Sequence, residues 1–304
     1  MQQRHGGDAF NTGLLAVAGG IAILQFGALP LLVHLNLAEA LLFVAVVAAA
    51  TPLHYGLMHE TMHGHLFGEE KADRRIGRIL GIFLGLPWET MRFGHLAHHS
   101  QNRHSFDRPE VLRPGQARLP AALMYYFKLL IGHALSYAVA PLAVLLPVST
   151  TRPILQWMDS DPESEPLRAA ALRIFTNMRR RNAIRFDLAA IAALFTMALW
   201  VWGSAWPIFA CCIAARWSVL SLLDNAPHYG MPLDSGLDAR NTSLPVFAGA
   251  LVMNGNYHGT HHHAPQLRWH ELPDAFVRSG AAPEGNWLAA LLRQFRGPMH
   301  LQRT

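Results

Sequence analysis

Residues 37–63 read LAEALLFVAVVAAATPLHYGLMHETMH. From Leu37 to about Met58 the run is apolar and long enough to cross a bilayer as a helix, for which roughly 20 residues suffice. Pro52 predicts a bend within it. The run ends on His59-Glu60-Thr61-Met62-His63, whose two imidazoles, four residues apart, share one helical face. Histidine within hydrocarbon is costly. This helix is therefore expected to leave the membrane and carry His54, His59 and His63 into water. Another apolar run, about Leu14 to Leu35, lies just before it, separated only around Asn36. The two runs predict a helical hairpin.

The same pattern recurs later. A third crossing is expected from about Asp187 to Trp202, a turn at Gly203 to Trp206, and a fourth crossing from about Pro207 to Leu223. Trp200, Trp202 and Trp206 stand where an aromatic belt would lie. Neither hairpin tip carries lysine or arginine, whereas the loops on the other side are rich in both. The positive-inside rule then puts both termini and every histidine cluster in the cytoplasm, and a bacterial inner membrane is the expected location. The chain has 304 residues, 51% apolar and only 15% charged, with a net charge of +5. So low a charged fraction is unusual for a soluble protein. The basic excess fits a membrane surface and calls for no nucleic acid. Cys211 and Cys212 are adjacent in an apolar run, so no disulfide is expected. Met1 to Asn11 is polar and lacks a cleavable-signal pattern.

Between the hairpins, residues 64–121 are polar and basic. Ala122 to Val148 is apolar but interrupted by Lys128, His133, Pro141 and Pro147, and reads as interfacial or re-entrant. Ser149 to Pro166 reads as a turn-rich loop. Leu167 to Arg181 reads as a basic amphipathic helix able to lie on anionic lipid. The expected fold is a single all-α membrane domain over residues 1–304. Two transmembrane hairpins (about 14–35 with 37–58, and 187–202 with 207–223) would carry a helical cap built from 59–186 and 224–304.

Two more histidine clusters share the pattern H-x-x-H-H: His95, His98 and His99, and His258, His261 and His262. With 18 histidines in the chain, chance supplies on the order of 0.05 copies of that pattern. Imidazole is the usual ligand of borderline transition metals. Helical spacing would let each cluster present its rings to one point, and eight imidazoles are too many for one ion, which suggests two. His228, just beyond the fourth crossing, is a ninth candidate. His54, His65, His104, His263 and His270 lie off the spacing and are expected around the ligands or on the surface. Asp107 and Glu110 follow the second cluster and can orient imidazoles by accepting N–H bonds; Glu60 is a similar candidate, or an exposed helix residue. His59 to His63 also fits the zinc-protease pattern H-E-x-x-H, a reading the two further clusters disfavour. Arg216, within the fourth apolar run, is expected to pair with Asp224.

These residues resemble the integral-membrane fatty acid desaturase and hydroxylase superfamily. The likeness covers most of the chain, and Asn256-Tyr257, Pro265, Trp269 and Pro273 around the third cluster look like its desaturase branch. The resemblance implies two non-haem irons, O2 as co-substrate, and ligands at His59, His63, His95, His98, His99, His228, His258, His261 and His262. It implies desaturation of a fatty acyl chain borne by a lipid, acyl carrier protein or acyl-CoA. No haem- or flavin-binding segment is read here, so electrons are expected from a separate ferredoxin, rubredoxin or cytochrome. One departure stands out: where relatives often carry Asn, reaching one iron through water, this chain has Asp224, followed by Asn225. The alternatives are a hydroxylase or ketolase of the same architecture, acting on alkanes, carotenoids or sphingolipids, and a membrane metal transporter.

Overall fold

The computed structural model describes residues 2–157, 162–233 and 238–301. Among these, helices dominate, and the only β pairings are the isolated bridges Val111–Met299 and Ser243–Asn286. Four helical segments among the described residues are long and apolar enough to cross a membrane: Asp8–Leu32, Leu37–His63, Arg118–Leu145 and Met178–Asn225. The last folds back at Gly203–Ala205 into arms Met178–Trp202 and Trp206–Asn225, so both expected hairpins are present. Their outer apolar side chains, such as Leu37, Leu41, Leu42 and Trp200, are exposed. Aqueous proteins rarely leave so many together; a bilayer is the solvent that suits them.

Asn36 starts the second arm of the first hairpin. Its side chain accepts the Glu39 N–H at 3.0 Å and the Glu39 carboxylate accepts the Asn36 N–H at 2.8 Å, a reciprocal cap that fixes the turn. The helix breaks at Ala50, and Pro52 sits in the first turn of Thr51–His63, where its missing N–H costs nothing. The predicted bend is there. Gly64, with φ of 78°, ends the helix one residue past His63.

Several expectations need correction. The first helix does not begin near Leu14; it is helical from Gln2. Its polar end is held by the cap: Asn11 donates to the Leu66 carbonyl at 2.6 Å and accepts from the Trp269 indole at 3.1 Å. Ser149–Pro166 is not all loop, since Val148–Trp157 is helical; residues 158–161 lie outside the described set. Most of Ala122–Val148, expected to be interfacial or re-entrant, falls in Arg118–Leu145, which has the length and composition of a span, interrupted by a π turn at Lys128–Gly132 and a 3-10 turn at Ala140–Leu145.

The basic run Arg179 to Arg181 belongs to the third crossing. Asn177 caps a new helix there by accepting the Arg180 N–H at 3.1 Å. Arg181 does not lie on lipid: it is buried and donates to the carbonyls of Phe175 (2.6 Å), Val144 (2.8 Å) and Leu146. Arg180 pairs with the buried Glu89 at 3.1 Å. Trp202 is no belt residue either; it is buried and donates to the Gln25 carbonyl at 2.8 Å.

Arg216 is buried, but its partner is His54, not Asp224. His54 donates from Nε2 to the Leu80 carbonyl at 2.9 Å, which leaves Nδ1 to accept from the guanidinium at 3.1 Å. Asp224 sits two turns further along the helix and is engaged elsewhere. The largest apolar cluster, including Leu57, Met58, Met62, Leu84, Trp88 and Met91, ties Thr51–His63 to Glu70–Leu84 and Trp88–Gln101. Arg78 adds a link to the second hairpin, its Nε donating to buried Asp187 at 2.8 Å. These contacts aim two of the histidine-bearing helices at one another.

Candidate metal centre

Four elements deliver the nine predicted histidines. Thr51–His63 carries His59 and His63, and Trp88–Gln101 carries His95, His98 and His99. The turn after Asn225 carries His228, and the short helix His258–His263 carries the third cluster. That short helix is seated by its backbone: Thr260 N–H donates to Asn241 Oδ1 at 2.8 Å, and Gly259 N–H to the Arg240 carbonyl at 3.2 Å. A Cβ on Gly259 would lie 2.3 Å from the Ala239 carbonyl oxygen, so only glycine permits this approach.

The nine rings form two groups. His59, His63, His95, His99 and His261 make one; His98, His228, His258 and His262 make the other, with the ligand atoms of each group within 4.8 Å of one another. In the first, Nε2 of His95 lies 2.7 Å from His63 and 3.1 Å from His99, and Nε2 of His99 lies 3.0 Å from His261. In the second, Nε2 of His98 lies 3.1 Å from His228 and 3.2 Å from His262, and His258 lies 3.1 Å from both His228 and His262. The groups adjoin, with the His99 and His262 rings stacked at 4.4 Å.

The clusters therefore do not each serve one point, as their spacing suggested. Each H-x-x-H-H is shared out. His95 and His99 go to the first group and His98 to the second; His258 and His262 go to the second and His261 to the first. Residues i and i+4 lie about 40° apart around a helix, whereas i+3 lies about 60° to the other side. A helix end lodged between two groups thus feeds both.

The rings are oriented from behind. His98 Nδ1 donates to Asp107 at 2.6 Å, and His228 Nδ1 donates to the Asp238 carbonyl at 3.1 Å. With those protons held there, each ring in its neutral form turns a bare Nε2 lone pair toward the other at 3.1 Å. Two lone pairs at hydrogen-bond distance repel unless a cation lies among them. His59 Nε2 is likewise buried with no protein partner. This donor set fits metal ions. Asp107 thus takes the orienting place expected of it. Glu110 does not: it is buried against Arg103 at 2.8 Å and touches no ligating ring. Glu60 is buried rather than exposed; one oxygen accepts the Trp269 N–H at 3.1 Å and the other lies 3.6 Å from His59. His54, His65, His104, His263 and His270 join neither group. The zinc-protease reading finds no support in this arrangement, since His59 and His63 face three further imidazoles and Glu60 faces Trp269.

Burial, reinforced by neighbouring histidines, pushes His95, His228, His258, His261 and His262 well below the ordinary imidazole range, and His99 down to about 3. Burial acts on His98 in the same direction, but the Asp107 carboxylate outweighs it and the value rises. The sign for stability follows. The depressed rings stay neutral in the folded protein while the unfolded chain takes up protons below its ordinary value of 6.5, so their contribution is lost as pH falls through that point. Among these rings, His98 opposes this. The metal-free protein in detergent is thus expected to melt at a lower temperature at about pH 5 than at about pH 7.5. An unchanged melting temperature would contradict the neutral, buried state of these rings.

A cavity of about 410 Å³ reaches the second group at His98 and His228 and is walled by Tyr125, Leu129, Leu155 and Leu167. A neighbouring cavity of about 300 Å³ shares His98 and His133 with it and extends to His95 and Phe175. Gly94 makes room here, because a Cβ would lie 2.1 Å from the Tyr137 hydroxyl oxygen. A smaller cavity, about 90 Å³, meets His59, His258 and His261 from the other side. Asp224 lines all three. It accepts from the Tyr55 hydroxyl at 3.1 Å and pairs with His133 at 3.1 Å, whereas the Asn225 amide donates to Gln294 at 2.8 Å. Of the two adjacent candidates, Asp224 is the one that lines the cavities reaching both histidine groups. Sequence reading missed His133 as a site residue; its signal was an ionisable side chain within an apolar run.

Comparison with curated proteins finds no match to this chain. The fatty acid desaturase family model matches residues 35–290, which take in all nine histidines, the second arm of the first hairpin and both arms of the second. That span is most of the 304 residues. The chain is an integral membrane oxidoreductase and belongs to the fatty acid desaturase family.

Proposed function

We propose that this protein is an O2-dependent acyl-chain desaturase with a non-haem di-iron centre. The observation that carries the reading is the pair of adjoining imidazole groups, the second of which lines a largely apolar cavity through His98 and His228. His59, His63, His95, His99 and His261 would hold one iron, and His98, His228, His258 and His262 the other. Bound there, two irons would supply the reduction of O2 and the oxidising power to remove hydrogen from an unactivated methylene. Neutral ligands leave the metals' positive charge uncompensated, which favours electron uptake.

The protein's own part is positioning. Asp107 fixes the His98 ring, so its Nε2 has one direction. The cavity walls exclude water and hold a methylene pair beside the histidines. Asp224, His133 and Tyr55 keep exchangeable protons at the same spot. Desaturation consumes O2, two electrons and two protons, and releases two waters and an alkene. The electrons would come from a ferredoxin, rubredoxin or cytochrome docking on the cap. Both termini and the centre would face the cytoplasm of a bacterial inner membrane.

The test is the lipid profile of cells expressing the chain, read by mass spectrometry with double-bond location. A product lighter by two hydrogens supports the proposal. One heavier by an oxygen atom moves it to the hydroxylase or ketolase branch. If the purified protein binds iron yet no lipid changes even with added reductant and carrier, the catalytic reading fails.

A further inference from the structure

The C-terminal part of the cap carries an apolar surface of its own, outside the spanning helices. Val246 and Phe247 open the short helix Val246–Gly249 and are 96% and 83% exposed. Leu251, just beyond, is exposed as well. On the helix Trp287–Arg293 and the turn that follows it, Leu288, Leu292 and Phe295 are exposed at i, i+4 and i+7, so they form one stripe. Ala290 of the same helix is buried and, with Trp287 and Leu291, lines the cavity of about 90 Å³ that meets His59, His258 and His261. The two apolar segments are tied together by backbone. Ser243 N–H donates to the Gly285 carbonyl at 2.8 Å, and Trp287 N–H donates to the Ser243 carbonyl at 3.0 Å.

The neighbours of this surface say what covers it. At one edge Met253 packs on the second arm of the first hairpin, where a Cβ on Gly56 would lie 2.4 Å from Met253 Cγ. Gly56 stands seven residues before the end of that arm at His63, about 10 Å back along the helix axis. At the other edge the Phe295 carbonyl accepts from the Tyr126 hydroxyl at 3.0 Å, and the Gln294 carbonyl from the Tyr125 hydroxyl at 2.8 Å. Both tyrosines belong to Arg118–Leu145, whose Leu123, Met124 and Phe127 are exposed. The cap surface is therefore continuous on both sides with segments apolar enough for lipid. Arg293 and Arg296 border the stripe. An apolar stripe edged by arginine suits a helix lying in the membrane interface, where guanidinium groups meet anionic headgroups.

We infer that Val246, Phe247, Leu251, Leu288, Leu292 and Phe295 are inserted in the lipid leaflet on the histidine side of the bilayer. Water would leave these large apolar side chains as one exposed patch, which aqueous surfaces seldom carry. Lipid removes them from water and continues the belt that the spans present. The short helix His258–His263 follows Leu251 within a few residues, so the depth of the third histidine cluster is set by the inserted cap as well as by the hairpins. This seating requires a membrane and no particular chemistry at the metal centre.

The test is fluorescence quenching on the full chain in vesicles of phosphatidylcholine and phosphatidylglycerol. A small thiol-reactive fluorophore is placed at Phe247→Cys or Leu292→Cys in a background carrying Cys211→Ala and Cys212→Ala. Leu41→Cys, on the outer face of the first hairpin, is the lipid reference, and Glu69→Cys, exposed on the polar loop, is the aqueous one. Each label is read with acyl-brominated against ordinary phosphatidylcholine, so that any quenching by bound metal cancels, and then with aqueous iodide. Brominated lipid should quench the labels at 247 and 292 at least about half as strongly as at 41, and iodide should reach them far less than at 69. Leu251→Cys and Leu288→Cys repeat the reading on the same two segments, in case a label at the first pair disturbs its helix. Labels at these positions that behave like the one at 69 would overturn the inference. Labels that neither quencher reaches would overturn it too, since the surface would then be covered by protein, with a second copy the first candidate to examine by crosslinking.

Discussion

His98→Ala and His261→Ala are each expected to abolish oxidised lipid, a fall of more than about 10³-fold, although the two residues belong to different histidine groups. The metal contents should differ. His98 is one of four rings in its group, and its loss leaves three. His261 is one of five, and its loss leaves four. Iron per purified chain should fall from two toward one in His98→Ala and less in His261→Ala, because four imidazoles remain a competent ligand set. Elemental analysis beside product analysis reads both numbers. Both variants should melt where the metal-free parent melts, which separates ligand loss from misfolding. Undiminished product in either variant would remove that residue from the centre.

Asp107→Ala is expected to weaken iron binding by about 10- to 100-fold, the usual cost of deleting the partner behind a ligating imidazole. The carboxylate lies 2.6 Å from His98 Nδ1 and both fixes the ring and makes it more basic. Without it the ring can rotate, and its tautomer is no longer set. Asp107→Asn should recover part of the affinity, since the amide oxygen still accepts the N–H but carries no charge. Competition with a chelator of known affinity reads all three proteins. If Asp107→Ala binds iron within twofold of the parent, the residue merely shapes the turn before Arg108 and Pro109.

The sequence made much of this protein legible because its signals are local. Hydrocarbon permits few solutions, so two pairs of apolar runs joined by short turns mean hairpins. Imidazole is scarce enough that two copies of H-x-x-H-H mark a metal site wherever the chain places them. All nine predicted histidines lie in the two groups. Less legible were the places where distant segments choose partners. Arg181 looked like a lipid-facing cation because its basic neighbours did; only packing shows that it satisfies carbonyls of the preceding segments. Arg216 was matched to the acid on its own helix, whereas the first hairpin brings His54 nearer. Glu110 and Asp107 are three residues apart and chemically alike, yet one meets Arg103 and the other His98.

The sequence by itself determined the helical membrane class and marked the nine histidines that come together in the structure. The tertiary structure alone decided how those histidines are divided, five and four, and that Asp224 meets Tyr55 and His133 on the cavities that reach both groups. The reason is angular. Spacing along one helix fixes the directions of its side chains relative to each other, but where those directions point depends on how four separate elements are packed together.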